Sequence, residues 1–346
     1  MNTALKPRAV YIRTFPRPDF GLKNRLWNRL NPFYDAQDGF FRASLHAAFT
    51  VHEVGLEEAA RAPMKLYEAD YIFVNWKALP SGQIISAGDV KFLKGIERPK
   101  ALVCTNARPE DMPGDDLADI FGVIFKREMY KDSDRYHLSF HNKQKLRTTM
   151  LSCPLIRAAR WSDTAAFDAG AYGYANPSEK FTHDVFFAGA ATSQHRVDIA
   201  EALHKKEGLN CLISLQSRVQ ASVEGTAFEG PRFNKRAYMK HTRESKISLA
   251  LEGIGPFTYR HLELLCLNTF FLSTPKIKEL ELPIDLQDGV HYVSYESADD
   301  LADKALYYKD QDEKRSKIAQ AGHEVFVRDY NFAKHGREIR RNIAKS

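Results

Sequence analysis

Apolar and polar positions follow two different periods along this chain. Short continuous apolar runs, typical of strands that are buried on both faces, are separated by longer stretches with helical periodicity. The runs that predict strands are 9–15, 71–76, 101–106, 122–126, 184–190, 209–215, 246–251, 269–273 and 290–295. Because amphipathic helices separate these runs, we expect an α/β protein with parallel sheets covered by helices on both faces.

The chain is long enough for two such sheets. At 346 residues it exceeds the size at which a single core usually stops growing. Residues 161–182 are rich in Gly, Ala, Tyr and Pro and have no period, so they predict a linker between domains 1–160 and 183–330. We expect two doubly wound Rossmann-like domains facing a cleft, with a last helix at 331–346 that packs back on the first domain.

The first β-α turn of the second half has the composition of an anion site. The segment FAGAATSQHR places Gly189 at the end of a strand, Ser193 at the predicted N-cap and Arg196 in the first helical turn. A helix N-terminus binds anions through its free N–H groups, and an arginine adds a positive fork. Tight packing of a strand on a helix explains the same residues without a ligand.

A second turn of this kind lies in EGIGPFTYRHLELLCLN, residues 252–268. Two glycines allow close backbone approach and positive φ, and the following helix is apolar on almost every side. On a helical projection only His261 points away. Arg260 and Glu263 therefore need partners, and the two can pair with each other or with a ligand. The residues that we expect to contact a nucleotide diphosphate and its ribose here are Gly253, Gly255, Thr258, Tyr259, Arg260 and Glu263.

Polar residues also follow predicted strand ends in the first half. They are Asn75, Trp76, Lys126 and Arg127, and we expect them on the cleft side of the N-terminal domain, with ordinary loop residues as the alternative. The segment YDAQDGFF offers Asp35 and Asp38 as bases, although an Asp-Gly turn also explains it.

Composition and charge narrow the functional class. The chain has 50 Lys+Arg, 44 Asp+Glu and a net charge of +6, which suits anionic ligands or an acidic membrane surface. Its four cysteines stand singly in apolar stretches, as core thiols do. The twelve histidines have no metal-site spacing, aromatic and basic residues do not interleave as in a nucleic-acid platform, and no long apolar run occurs. We expect an intracellular, non-spanning protein without a metal, a cofactor or a nucleic-acid partner.

Two stretches of the second half carry a resemblance to a known family. They are SKISLALEGIGPFTYRHLELLCLNTFFLS and DGVHYVSYESADDLADKALYYKDQDEKRSKIAQAGHEVFVRDYNF. Together they resemble the C-terminal domain of GT-B glycosyltransferases, especially the CgeB-like branch of the group 1 type. The resemblance covers about residues 184–335. It implies that Arg260 and Glu263 hold the nucleotide diphosphate and ribose and that Glu252 lies near the sugar. This chain departs from the family pattern in the longer spacing between the two acids and in Asn268, where a glycine is common.

The expected function is transfer of a sugar from a nucleotide diphosphate sugar to a hydroxyl of a glycan, lipid-linked or small acceptor, without a metal. Glu252 and Lys126 are the candidate catalytic residues. We expect a cytoplasmic enzyme of glycan biosynthesis. Its basic C-terminus, with Arg337, Arg340, Arg341 and Lys345, suits contact with an acidic membrane surface, and a solvated charged face is the alternative. A sugar epimerase or phosphorylase of the same shape, and a non-catalytic surface-assembly protein that keeps the fold, are the alternatives.

Overall fold

The computed structural model describes residues 6–13, 37–61, 63–79, 87–155, 180–216 and 230–346. These residues form two compact units. The first contains the described residues up to 155 together with 281–283 and 331–346, and the second contains 180–280 and 284–330. Most of the predicted linker, 161–179, lies outside the described residues.

The first unit is built on a parallel sheet of six described strands in the order β2-β1-β3-β4-β5-β7. Its strands are β1 Arg8–Ile12, β2 Thr50–Val54, β3 Tyr71–Asn75, β4 Lys100–Cys104, β5 Val123–Arg127, β6 Met129–Tyr130 and β7 Leu146–Thr149. Its helices are α1 Gly39–Ala48, α2 Leu56–Arg61, α3 Met64–Tyr67, α4 Ala87–Lys94, α5 Asp115–Ala118, α6 Phe140–Lys143 and α12 Phe332–Ile343. Apolar clusters lie on both faces of this sheet, as expected of parallel strands.

The last helix of the chain, α12, completes the core of this first unit. Ile339 and Ile343 are fully buried in the cluster that also contains Phe41 and Leu45 of α1. A Cβ at Gly336 would lie 2.3 Å from the carbonyl oxygen of Ser44. Only glycine therefore allows α12 and α1 to approach this closely.

The second unit is built on a parallel sheet of five described strands in the order β13-β11-β10-β8-β9. The strands of this unit are β8 His183–Ala190, β9 Cys211–Gln216, β10 Ser245–Ala250, β11 Phe271–Ser273 and β13 Val293–Ser294, and β12 Leu280–Glu281 begins in it. Its helices are α7 Gln194–Lys205, α8 Lys235–Arg243, α9 Tyr259–Cys266, α10 Ala298–Tyr308 and α11 Asp312–Asp329.

The predicted α/β fold class is confirmed, with strand ends shifted by a few residues. Four described strands were not predicted. Two of them, β6 and β12, have only two residues each. The other two, β2 with the sequence TVHEV and β7 with LRTT, have no continuous apolar run because each forms an edge of its sheet. The prediction of a long strand at 290–295 was wrong, because only Val293–Ser294 pairs with β11.

Several helix ends agree with the sequence prediction. Ser297 caps α10 by accepting a hydrogen bond from the Asp300 N–H at 3.1 Å. Asn268 takes the left-handed conformation, φ 54°, directly after α9. The N–H of Thr269 donates to the carbonyl of Leu264 and that of Asn268 to Leu265, which is the Schellman pattern.

Candidate functional site

In the second unit, the strand order reverses direction between β8 and β10. The chain runs from β8 to β9 on one side and then to β10, β11 and β13 on the other. Ligands of doubly wound sheets bind beyond the carboxyl ends of the strands at such a switch point. The two glycine-containing turns that the sequence singles out, 189–193 and 251–257, leave the sheet at these two neighbouring strands.

Arg196 joins these two turns. Its Nη1 donates to the carbonyl of Ala190 at 2.7 Å, its Nε to that of Glu252 at 2.8 Å, and its Nη2 to that of Leu251 at 3.2 Å. The side chain is buried, and a Cβ at Gly189 would lie 3.4 Å from its Nη1. Since all three nitrogens bind carbonyls, the geometry explains Arg196 as a positioning residue for the turns. Its contact with phosphate stays a prediction.

The amino end of α7 has buried hydroxyl groups with no partner. Ser193 is the N-cap residue, as predicted, but its side chain makes no capping hydrogen bond. Its Oγ and the Oγ1 of Thr192 are both buried, and neither has a hydrogen-bond partner within the described part of the chain. An unpaired buried hydroxyl costs free energy. Two such hydroxyls at the start of a helix are typical of a ligand site, because a bound ligand supplies their hydrogen-bond partners.

Helix α9 begins at Thr258, the predicted N-cap, but the prediction that His261 points away from the core was wrong. His261 is fully buried, and its Nδ1 accepts a hydrogen bond from the Thr258 N–H at 3.0 Å. Its Nε2 lies 2.9 Å from Ser273 Oγ and its ring stacks on Phe257. The loop before α9 and the end of β11 cover the side that a helical projection leaves open. Burial lowers the pKa of His261 to about 3, so the ring is neutral.

Arg260 and Glu263 form an ion pair at the first turn of α9. Arg260 Nη1 lies 2.9 Å from Glu263 Oε2, with side-chain exposures of 23% and 11%. The guanidinium also donates to the carbonyl of Ala188 and lies over the ring of Tyr238, 4.0 Å from its centroid. The sequence left open whether Arg260 and Glu263 pair with each other or with a ligand, and the structure shows that they pair with each other. A ligand contact of the same pair is compatible with it, because Glu263 has a second oxygen.

The glycines of the loop before α9 have no unusual backbone angles. Among the described glycines, only Gly208 and Gly289 have positive φ, so Gly253 and Gly255 do not use the positive φ that glycine allows. A Cβ at Gly253 would lie 3.4 Å from both Arg196 Nη2 and Thr258 Cγ2. These are ordinary van der Waals distances, so the described contacts do not by themselves require glycine at position 253. Tyr259, the first residue of α9, is half-buried.

Glu252, a predicted site residue, belongs to a second polar group whose other members the sequence did not indicate. Glu252 forms an ion pair with Lys276, which follows β11, at 2.9 Å. Tyr295, which follows β13, is fully buried and lies 3.0 Å from Nε2 of His195 on α7. These residues are separated by 19 or more positions, and only the order of the strands brings them together.

The first unit has its own polar cluster at the carboxyl ends of β1 and β3, where its strand order also reverses. Asp38 Oδ2 accepts a hydrogen bond from the Tyr11 hydroxyl at 3.0 Å and lies 3.4 Å from Arg13 Nε. Asn75 Nδ2 donates to the Tyr11 oxygen at 3.0 Å. Burial, followed by the charge of Asp38, raises the pKa of Tyr11. Asn75 and Asp38, both predicted as candidates, therefore lie together, whereas Asp35 is outside the described residues.

The other predicted residues of the first unit are buried and have contacts within that unit. Trp76 belongs to the apolar core, so packing rather than ligand contact explains it. Lys126 is fully buried and its Nζ donates to the carbonyls of Asn106 and Arg108 at 3.0 and 2.8 Å. Burial lowers its pKa to about 8. Arg127 pairs with Glu128, a buried residue at φ 57°, at 2.8 Å. A catalytic role of Lys126 stays a prediction.

The described residues contain neither a cluster of metal ligands nor a membrane-spanning helix. No group of three or more His, Cys, Asp and Glu side chains there is arranged to hold a metal ion. No helix in those ranges has the length and apolarity to cross a bilayer. All four cysteines are free, and three of them are buried.

Comparison with known proteins gives one family match and many similar folds. The model of the family described as glycosyl transferase-like matches residues 196–341. No curated protein matches the sequence. HepE from Anabaena, solved with UDP and glucose, has 12% identity and a TM-score of 0.52, covering 98% of this chain and 100% of its own.

Two further structures have the same fold. The DNA-modifying β-glucosyltransferase of T4 phage has 13% identity and a TM-score of 0.54, covering 97% of this chain and 99% of its own. A glycosyltransferase from Rickettsia africae has 12% identity and a TM-score of 0.53, with 99% of both chains covered. The predicted GT-B fold and the resemblance to glycosyltransferases are confirmed. The predicted enzyme class, a glycosyltransferase, is confirmed with them.

Proposed function

We propose that this glycosyltransferase takes its sugar from a uridine diphosphate sugar bound at the switch point of the second unit. The observation that supports this most directly is the pair of buried hydroxyls, Thr192 Oγ1 and Ser193 Oγ, which have no partner in the described residues. They lie at the amino end of α7, a helix of 12 residues whose N-cap side chain leaves the first N–H groups uncapped. The oxygens of a phosphate would accept hydrogen bonds from both hydroxyls and from the N–H groups at the start of the helix.

Side chains near the amino end of α7 suit the diphosphate, the ribose and the sugar of such a nucleotide. Arg260 offers a guanidinium whose orientation is already set by Tyr238, Glu263 and the Ala188 carbonyl. Glu263 offers a carboxylate suited to two ribose hydroxyls, and Glu252 lies next to the glycine loop, where we place the sugar. Structures of HepE and of the T4 enzyme were solved with UDP or UDP-glucose, which guides the choice of ligand to test.

We propose that the reaction needs no divalent cation. The departing diphosphate gains negative charge, and the α7 amino end and Arg260 provide positive potential around it. Addition of a chelator should leave turnover unchanged. Activity that is lost with chelator and restored by Mg²⁺ or Mn²⁺ would overturn this part of the proposal.

We place the acceptor on the first unit, whose polar cluster of Tyr11, Asp38 and Asn75 offers hydrogen-bonding groups at a strand switch point. The acceptor is a hydroxyl of a glycan, a lipid-linked sugar or a small molecule, and free thiols favour a reducing, cytoplasmic compartment.

We also propose that α12 touches an acidic membrane surface. One face of this helix is buried on the first unit, and the opposite face presents Lys334, Arg337, Arg340 and Arg341, all exposed, with Lys345 just beyond. Each basic residue near an acidic bilayer contributes about 1 kcal/mol of attraction. Vesicles with 30% phosphatidylserine should bind the protein at low salt, and neutral vesicles should not.

The donor site is tested by thermal unfolding with UDP, GDP, ADP and their sugars. At about 100 times its dissociation constant, UDP should add about 2.7 kcal/mol to the stability of the native protein. That gain corresponds to a rise of about 5 to 10 °C in the melting temperature of the second unit. Failure of every nucleotide to shift the transition would refute the donor site and favour a non-catalytic assembly protein. Donor turnover with no acceptor present would favour the epimerase or phosphorylase alternative.

A further inference from the structure

Three neighbouring strands of the second unit end in polar residues on the side of the glycine loop away from β8. Glu252 follows β10, Lys276 follows β11 and Tyr295 follows β13. None of the three contacts Arg260 or Glu263 in the hydrogen bonds of the described residues. These three residues and His195 therefore form a second polar cluster beside the proposed diphosphate site.

Glu252 is held in this group at two points. Its main-chain carbonyl accepts the Arg196 Nε hydrogen bond at 2.8 Å. Its carboxylate lies 3.1 Å from Lys276 Nζ through Oε1 and 2.9 Å through Oε2. The buried hydroxyl of Tyr295 is close enough that the Glu252 charge, after burial itself, raises the pKa of Tyr295. Backbone and side chain of Glu252 are thus fixed by different residues.

The ion pair with Lys276 contributes little to folding. The Lys276 side chain is 59% exposed and that of Glu252 is 19% exposed. Pairs as exposed as this one stabilise proteins by only about 0 to 1 kcal/mol. The contact does fix both carboxylate oxygens at the edge of a ligand site, and a fixed carboxylate can accept two hydroxyl hydrogen bonds in a set direction.

We propose that Lys276 is a positioning residue that orients Glu252 toward the hydroxyls of the donor sugar, so that this pair distinguishes a nucleotide sugar from the bare nucleotide diphosphate. This inference rests on the proposed donor site. Lys276 acts through Glu252, so its loss affects binding of the sugar moiety and leaves binding of the diphosphate and ribose intact.

The same short segment supplies a matched control. Lys278 lies two residues further along and forms an ion pair with Asp288 at 2.8 Å, with side-chain exposures of 43% and 32%. Lys278→Met therefore removes one positive charge and one exposed pair without touching Glu252. Any effect that it shares with Lys276→Met reports charge or general stability.

The experiment measures the dissociation constants of UDP, UDP-glucose, UDP-galactose and UDP-N-acetylglucosamine by calorimetry. It uses the unaltered protein, Lys276→Met, Lys276→Arg and Lys278→Met. For the sugar nucleotide that binds the unaltered protein most tightly, Lys276→Met should weaken binding about tenfold or more, the size expected for a hydrogen-bonded charge. UDP binding should change by less than about twofold, Lys276→Arg should restore most of the loss, and Lys278→Met should match the unaltered protein.

Each other outcome overturns the inference in a recognisable way. Equal loss of UDP and UDP-sugar affinity in Lys276→Met would place the lysine on the diphosphate. No loss for either ligand would leave the pair without a role in binding. If the unaltered protein binds UDP but none of the sugar nucleotides, the sugar subsite is refuted and the nucleotide site stands. If it binds no nucleotide at all, the proposed function itself is refuted.

Discussion

Replacing Glu263 with glutamine tests whether the α9 ion pair belongs to a ligand site. The substitution keeps the shape of a side chain that is only 11% exposed and removes its charge. Arg260 keeps the Ala188 carbonyl and the ring of Tyr238 as partners. If Glu263 accepts the ribose hydroxyls, the variant should bind UDP more weakly by about 1.5 to 3 kcal/mol, the range for hydrogen bonds to charged groups.

This loss can be read from thermal unfolding at one fixed UDP concentration. At about 100 times the wild-type dissociation constant, wild type gains about 2.7 kcal/mol. A variant whose dissociation constant is about 50 times larger gains only about 0.6 kcal/mol at that concentration, so its melting temperature rises by about 1 to 2 °C. Uridine without phosphate should lose affinity for this variant as well. Arg260→Met should weaken UDP strongly and uridine little, because its guanidinium is assigned to the diphosphate.

An ion pair without a ligand predicts a different result. Breaking a buried pair costs up to about 3 to 5 kcal/mol of stability, and less here because Arg260 is partly exposed. In that case the folded variants would bind UDP as wild type does. Asp184→Asn, which removes the partner of Lys246 in the same unit at similar side-chain exposures of 15% and 26%, is the control for loss of such a pair. Unchanged UDP affinity in both Glu263→Gln and Arg260→Met would refute the assignment.

Substitutions at two further positions test local features of α9 and of its carboxyl end. Burial holds the pKa of His261 at about 3, whereas an unfolded histidine takes up its proton near pH 6.5. The unfolded state therefore binds more protons between these values and stability falls as the pH falls. Wild type should lose about 1.6 kcal/mol more than His261→Asn between pH 6.5 and about 5 in urea denaturation, and parallel losses would contradict this. At Asn268, φ 54°, Asn268→Gly should be about 1 kcal/mol more stable than Asn268→Ala. Both variants lose the amide bond to Gln320, so equal stabilities would contradict a backbone origin.

The sequence predicts the two sheets well, because central parallel strands need continuous apolar runs. The edge strands β2 and β7 lack them and were missed. Helix ends were predictable where one residue type determines the local structure, as at Ser193, Thr258, Ser297 and Asn268.

The site was predictable where its parts are contiguous in sequence. The two glycine turns, Arg260 and Glu263 lie in two short segments. Lys276, His195 and Tyr295 have no local signal, because their neighbourhood depends on strand order. Arg196 was correctly identified as a residue of the first turn, but a helical pattern does not reveal that its guanidinium reaches the carbonyls of Leu251 and Glu252. His261 was wrongly assigned because the projection ignores the loop that covers α9.

The burial of α12 in the first unit has a consequence for how this protein is made. Ile339 and Ile343 belong to a cluster whose other members come from residues 9–125. A ribosome adds about 5 to 20 residues per second, so the 188 positions between 155 and 343 take roughly 10 to 40 seconds. During that interval the first sheet has one face without its last helix, while the second unit is synthesised complete. The second unit is therefore able to fold before the first is finished, and the nascent first sheet is the part of the chain that chaperones or aggregation would reach.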